Sequence, residues 1–324
     1  MTLLSLLIAL LLEQLRPIRQ ANVVHAWVIG KIEDMRGMVD PNGARSIWAA
    51  WLLVVVGAAL FGLFIGRILG IVHPLLELVF IVGILYLTLG FRQFSHRFHE
   101  IQAALRADDL PESRRLLGLW VADMNADAVA RSASESGDES AIVRESIRLA
   151  LVAAQRHVFG LIFWFVILPG VSGAVAYWLT VQMLRAWGHR DDDGGLFSQT
   201  ARVAYRWVDW LPVRVTAMIF AVVGNFEDSV AMWRSRAAAS PMQLDDTDRV
   251  LIASGAGAIG VRLTIPDGPT GSDDYEATLE GISDDPELRE ATIHSMNSAV
   301  GLVWRSVIIW FFLVLLFYLG RWLN

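Results

Sequence analysis

The run "IWAAWLLVVVGAALFGLFIG" (47–66), followed after a short turn by "PLLELVFIVGILYLTLGF" (74–91), decides the fold. A hydrocarbon core about 30 Å thick takes roughly 20 helical residues to cross. The first run reaches that length without a charge, and the second carries only Glu77. Two further runs, 158–184 and 302–320, repeat the pattern. A water-soluble helical domain rarely strings four such stretches together, so the chain is predicted to be an integral membrane protein with the lipid bilayer as its first partner.

Composition agrees. Hydrophobic residues make up 55% and charged residues 19%, and mean hydropathy is +0.47. Trp48, Trp178, Trp187 and Trp322 lie near run ends, where amphipathic rings favour the headgroup zone. With 33 acidic against 27 basic side chains, a net charge of −6 and no basic tract, nucleic acid is excluded as an expected partner. The absence of Cys removes disulfides, thiolate nucleophiles and Cys metal sites.

The flanks set the expected topology. The run 3–12 lacks a basic n-region and a small-residue cleavage site, so it is expected to be retained as a short apolar helix stopped by Pro17. Arg16, Arg19, Lys31, Arg36 and Arg45 precede the hairpin and Arg92, Arg97, Arg106, Arg114 and Arg115 follow it. The positive-inside asymmetry therefore puts both loops in the cytoplasm and the turn at 67–73 outside. Residues 93–156 read as cytoplasm-facing amphipathic helices: Phe94, Phe98, Ile101 and Leu105 recur at helical spacing, and Asp109, Pro111 and Glu112 form a capped helix start. The run 158–184 is too long for one crossing, and Pro169-Gly170 predicts a kink or break. Residues 235–300 are polar and partly loop; their pairs Asp245-Asp246, Asp273-Asp274 and Asp284-Asp285 are read as solvated surface. The predicted fold is one all-α polytopic membrane domain over 1–324, with about five or six membrane helices, in a bacterial inner membrane.

Candidate site residues cluster in "YRWVDWLPVRVTAMIFAVVGNFEDSVAMW" (205–233). Asp209 and Arg214 lie before an apolar run of about ten residues, and Asn225, Glu227 and Asp228 follow it. Charges beside a membrane helix are costly unless paired or wet, which makes these five the candidate ligand-binding residues, with interfacial ion pairing as the structural alternative. No catalytic residue and no metal site is assigned. His96, His99 and Glu100 share a helix face without metalloprotease spacing, and no GxSxG elbow occurs. Gly255-Ala256-Gly257-Ala258-Ile259-Gly260 matches GxGxxG, but no strand–helix alternation surrounds it, so its small residues are read as a close-packing surface.

Three segments carry a resemblance: "RESIRLALVAAQRHVFGLIFWFVILPGVSGAVAYWL" (144–179), "VDWLPVRVTAMIFAVVGNFEDSVAMWR" (208–234), and Ser240-Pro241 with "ASGAGAIGVRL" (253–263). They resemble the CobD/CbiB family of membrane cobalamin-biosynthesis proteins, and also the AmpE proteins, relatives associated with β-lactamase regulation. "HAWVIGKIED" (25–34) is a looser echo of an N-terminal family motif. The first resemblance implies amide joining of cobyric acid to an aminopropanol or its phosphate, with ATP and Mg2+ as cofactors and a corrinoid as partner.

Such a ligase needs carboxylates for the metal and phosphates. The family's Glu-Asn-x-x-Asp motif, aligned on Phe163-Trp164, falls on Val152, Ala153 and Arg156; aligned on Glu145-Ser146 it falls on Leu149, Ala150 and Ala153. Its Asp-Asp-x-x-Asn-x-x-Pro-x-Arg motif, aligned on Pro212 and Arg214, falls on Tyr205, Arg206 and Asp209. Ser-Pro-Asn becomes Ser240-Pro241-Met242, whereas Gly-Val-x-Leu persists at 260–263. On this count the favoured expectation is an AmpE-like, non-catalytic accessory or signalling protein with a protein partner in the cell envelope. The second is the cobalamin-pathway ligase with its metal ligands drawn from Asp209, Glu227, Asp228 or Asp191–Asp193. A small-molecule transporter comes third, because no paired repeat is visible.

Overall fold

The computed structural model describes residues 2–15, 23–41, 43–124, 126, 128–135, 138–188, 195–239, 247–263 and 288–323. Among them every regular element is helical, with one isolated β-bridge between Val261 and Arg289. Asp191–Asp193, the three acidic pairs, Pro17, Pro266 and Ser240-Pro241-Met242 lie outside the described residues. Three helical stretches are long and apolar enough to cross a membrane, Ala44–Val72, Glu139–Ile167 and Ile293–Gly320, with shorter apolar helices at Leu3–Leu15 and Pro74–Thr88.

The chain divides into two compact units, the first comprising 1–94, 155–212 and 314–324, the second 95–154 and 213–313. In the first, α1 (Thr2–Leu15) packs on α4 (Pro74–Thr88), and α3 (Ala44–Val72) packs on α4 and α10 (Ser172–Trp187); α2 (Val23–Met38) also lies against α10. The seam of α3 is narrow: Ile47, Trp51, Val55, Ala59, Gly62 and Gly66 are buried at near four-residue steps. Only 17% of its apolar window is buried, so the rest of this helix is left for lipid. His73 ends α3 and caps α4, its Nδ1 accepting from Leu75 N–H at 3.1 Å ahead of Pro74 in the first turn.

The break expected at Pro169-Gly170 is present. α9 (Gly160–Ile167) stops at an extended Leu168, Gly170 turns the chain at φ +61°, and α10 resumes at Ser172. Upstream, the helix follows another course than its composition indicated. α8 (Glu139–Ala154) continues through a π-helical segment, π1 (Gln155–Phe159), into α9. The boundary drawn at residue 156 therefore falls inside a helix.

In the second unit, α5 (Phe91–Arg106) buries Phe98, Ile101 and Leu105, while the side chain of Phe94 lies outside the description. α6 (Leu110–Met124) begins with the expected cap, Glu112 N–H donating to Asp109 Oδ1 at 3.0 Å. α7 (Ala128–Glu135) packs on α6 and α8. Asp138 caps α8 through Ser140, and those hydrogen bonds hold its carboxyl below the usual range. α12 (Phe226–Ala239) and α13 (Thr247–Ile259) pack together through glycine. A Cβ on Gly257 would lie 2.5 Å from the Asp228 carbonyl oxygen, and one on Gly224 would run into Ala258. Gly260, at φ +66°, then ends α13 with Val261 N–H on the Ala256 carbonyl at 3.1 Å. The GxGxxG match is thus a packing surface.

Two outcomes follow from these contacts. Gly257→Ala should lower stability by about 1–3 kcal/mol through overpacking, seen as a lower thermal midpoint in detergent. Gly57→Ala, with nothing within 4 Å of its Cβ, should not; equal midpoints for the two would contradict the packing argument. Asp138→Ala should cost about 1 kcal/mol. Because the Asp138 pKa is depressed in the fold, the cap's contribution is present above the ordinary carboxylate pKa and lost as pH falls through the lowered one. A wild-type minus Asp138→Ala stability difference that did not shrink on acidification would refute this.

Candidate functional site

The polar centre of the first unit is built around Pro212. It lies inside α11 (Leu196–Val223), a helix of 28 residues whose C-terminal part takes in the apolar run of about ten residues that follows Arg214. Proline has no N–H for the carbonyl four residues earlier, so Val208 O loses its helical partner. The indole Nε1–H of Trp164, on α9, donates to that oxygen at 3.0 Å. Helix disruption by proline is thereby offset from a neighbouring helix, as apolar surroundings require.

One residue further on, Asp209 is fully buried. A bare carboxylate there would be very costly. It accepts hydrogen bonds from Gln155 Nε2 at 2.8 Å and Tyr177 OH at 2.9 Å on Oδ1, and from Tyr205 OH at 2.9 Å on Oδ2. Tyr205 stands one helical turn before Asp209, Tyr177 comes from α10, and Gln155 opens π1. The Arg156 guanidinium sits 5.1 Å from the centroid of the Tyr205 ring, a cation–π contact at the edge of the cluster. Gly160 makes room for the arrangement, since a Cβ there would collide with the Tyr177 hydroxyl.

The other four candidates belong to the second unit. Asn225 caps α12: its Oδ1 accepts from Asp228 N–H at 3.3 Å and its Nδ2 donates to the Asp228 carboxylate. Its own N–H donates to Ala258 O at 3.0 Å. Glu227 and Asp228 occupy the first turn of α12, where acids complement the helix dipole. Asn225 and Glu227 are exposed, while Arg214 and Asp228 are half-buried. The structure thus joins Asn225 to Asp228 and gives Asp209 a different set of partners. Sequence reasoning gave no weight to Gln155 and Tyr177, although a polar side chain inside an apolar run is the signal that marks both. His96 pairs with Glu100 at 3.3 Å, and no group of three His, Cys, Asp or Glu side chains is assembled among the described residues.

Mg2+ does not fit the cluster as it stands. A hard cation needs oxygen lone pairs, whereas the partners named around Asp209 are an amide N–H and two phenol O–H groups that direct protons at the carboxylate. The arrangement can hold a buried negative charge and fix three helices about it. No step through a metal nucleotide follows from these residues.

Comparison with known proteins identifies the lineage. The family model described as "CobD/Cbib protein" matches residues 2–303. The chain is similar to "Cobalamin biosynthesis protein CobD" of Stutzerimonas stutzeri, 30% identical over 99% of this chain and 98% of that protein. It is also similar to proteins of the same name from Chromobacterium violaceum, 29% identical over 79% of both chains, and Desulfotalea psychrophila, 27% identical over 55% of this chain and 56% of the relative. No solved structure matches. These findings overturn the expectation of an AmpE-like signalling protein. That expectation counted lost carboxylates, but a missing acid removes one way of holding a metal and is no positive mark of signalling. With its Trp164–Val208 and Tyr205–Asp209 hydrogen bonds in place, and matched by the family model over residues 2–303, the chain belongs to the CobD/CbiB protein family.

Proposed function

We propose that this protein acts in cobalamin biosynthesis, in the amide-forming step that joins cobyric acid to aminopropanol phosphate. The end-to-end similarity to a cobalamin biosynthesis protein carries the reading. A corrinoid is then the large ligand, and ATP with Mg2+ supplies the activation energy for the amide bond. The part taken by Asp209 is positional: three donors lock its carboxylate, and through it π1, α10 and α11 hold one relative geometry. Arg214, Asn225, Glu227 and Asp228 are offered as ligand contacts, Arg214 as a partner for phosphate and the acids for a cation.

The same reading places the protein in the bacterial inner membrane as a multi-pass chain. The three long apolar helices cross, and α1, α4 and α10 add shorter membrane helices, which gives six in all. Of the segment 93–156, α5, α6 and α7 face the cytoplasm, in keeping with the basic loops on that side.

Purified protein given cobyric acid, aminopropanol phosphate and ATP with Mg2+ should yield the amide product, followed by mass spectrometry beside a known family ligase. Failure next to a working control would reject the reading. Asp209→Ala removes the shared acceptor of three buried donors, a loss of about 1–3 kcal/mol for each donor left unsatisfied, and should lower both thermal midpoint and product yield. Gly160→Ala, which displaces Tyr177 without touching Asp209, should lower product formation at least about tenfold. If Gly160→Ala retains full activity, the Tyr177–Asp209 bond has no positioning role.

A further inference from the structure

The first unit contains an apolar cavity of about 560 Å3 between α2, α3, α4 and α10, away from the Asp209 cluster in residue content and in chemistry. Its size is that of a small-molecule site, but such sites also place a few polar groups to orient their ligand. This one has almost none. The Thr88 hydroxyl is turned to its own helix, donating to Ile84 O at 2.9 Å and Leu85 O at 3.2 Å. Apart from Thr88 and Lys31 the lining is hydrocarbon, indole and the Met35 thioether, with Leu53, Ala58 and Trp178 among it. A nucleotide or an amide-fringed corrinoid would leave its polar groups unmet there.

The mouth opens on exposed apolar surface. Leu53, part of the cavity wall, is 75% exposed on the face of α3 that is not buried by protein. Trp27, on α2, is 63% exposed, and Lys31 stands one turn further along the same helix. A Trp and a Lys on one face, over an apolar recess, form the pairing that settles at the headgroup level of a bilayer. Among the described lining residues the Lys31 ammonium is the only charge, and it meets Asp34 at 2.8 Å across an exposed ion pair of the kind that contributes little.

We propose that this cavity binds one acyl chain of an anionic phospholipid, with the phosphate held by Lys31 at the rim. The acyl chain matches the hydrocarbon lining and the phosphate matches the lone cation, while Asp34 competes with the lipid for it. The site needs no turnover, so it stands or falls apart from the biosynthetic reading.

Native mass spectrometry of the full chain from detergent, with phosphatidylglycerol or phosphatidylcholine added, tests the site directly. The wild type should retain one phosphatidylglycerol, about fivefold over phosphatidylcholine, as expected for one Lys against an anionic headgroup. Lys31→Glu, an exposed change that leaves the core intact, should abolish that preference, and Asp34→Asn should increase it. Ala58→Trp, which fills the cavity, should lower retention of both lipids severalfold. Equal retention of the two lipids by the wild type would overturn the proposal. So would an unchanged preference in Lys31→Glu, or undiminished binding in a folded Ala58→Trp.

Discussion

The first unit depends on keeping one buried carboxylate satisfied. Asp209 sits among apolar helices where its charge survives only with donors in place, and Gln155, Tyr177 and Tyr205 supply them from three segments. Each charge-assisted bond is worth about 1.5–3 kcal/mol, more than a neutral one, so the cluster dictates how these helices face each other. Hydrophobic packing alone tolerates sliding and rotation in a bilayer, where lipid is as apolar as leucine; polar contacts of fixed geometry restrict it.

The π-helical turn at 155–159 belongs to the same solution. An extra residue in the turn changes the direction of the side chains around it, and such bulges concentrate where function requires it. Here Gln155 reaches Asp209, and its own carbonyl lies 3.4 Å from the Tyr177 hydroxyl. The second unit uses other means. Gly224 and Gly257 let α12 and α13 approach to backbone contact, and Ser229, Ser254 and the Ala217 carbonyl link in a chain of hydrogen bonds at 2.7 and 2.8 Å.

Much of this was legible in the sequence. The apolar runs at 47–66 and 74–91 became α3 and α4, Pro169-Gly170 broke its helix, and Asp109 capped α6. What was not legible depended on partners far along the chain. Nothing beside Pro212 in sequence shows that a helix continues through it, because the carbonyl it frees is served by Trp164 from another helix. The helix from Glu139 to Ile167 reads as two pieces because charged Arg144, Glu145 and Arg148 lie in its first half, yet Glu145 and Arg148 are buried together in a bidentate pair with its closest contact at 2.6 Å. Asp209 itself was singled out for its charge, but its partners were not, because hydrogen-bond donors from residues 32 and 54 positions away leave no local pattern.

The Trp164 indole bond to Val208 also bears on assembly order. Until α9 is in place, α11 carries a backbone carbonyl that its own helix leaves without a donor. The earlier segment is made first at the ribosome. The later helix satisfies that carbonyl only on docking against it, so completing α11 around Pro212 and joining it to α9 become a single event.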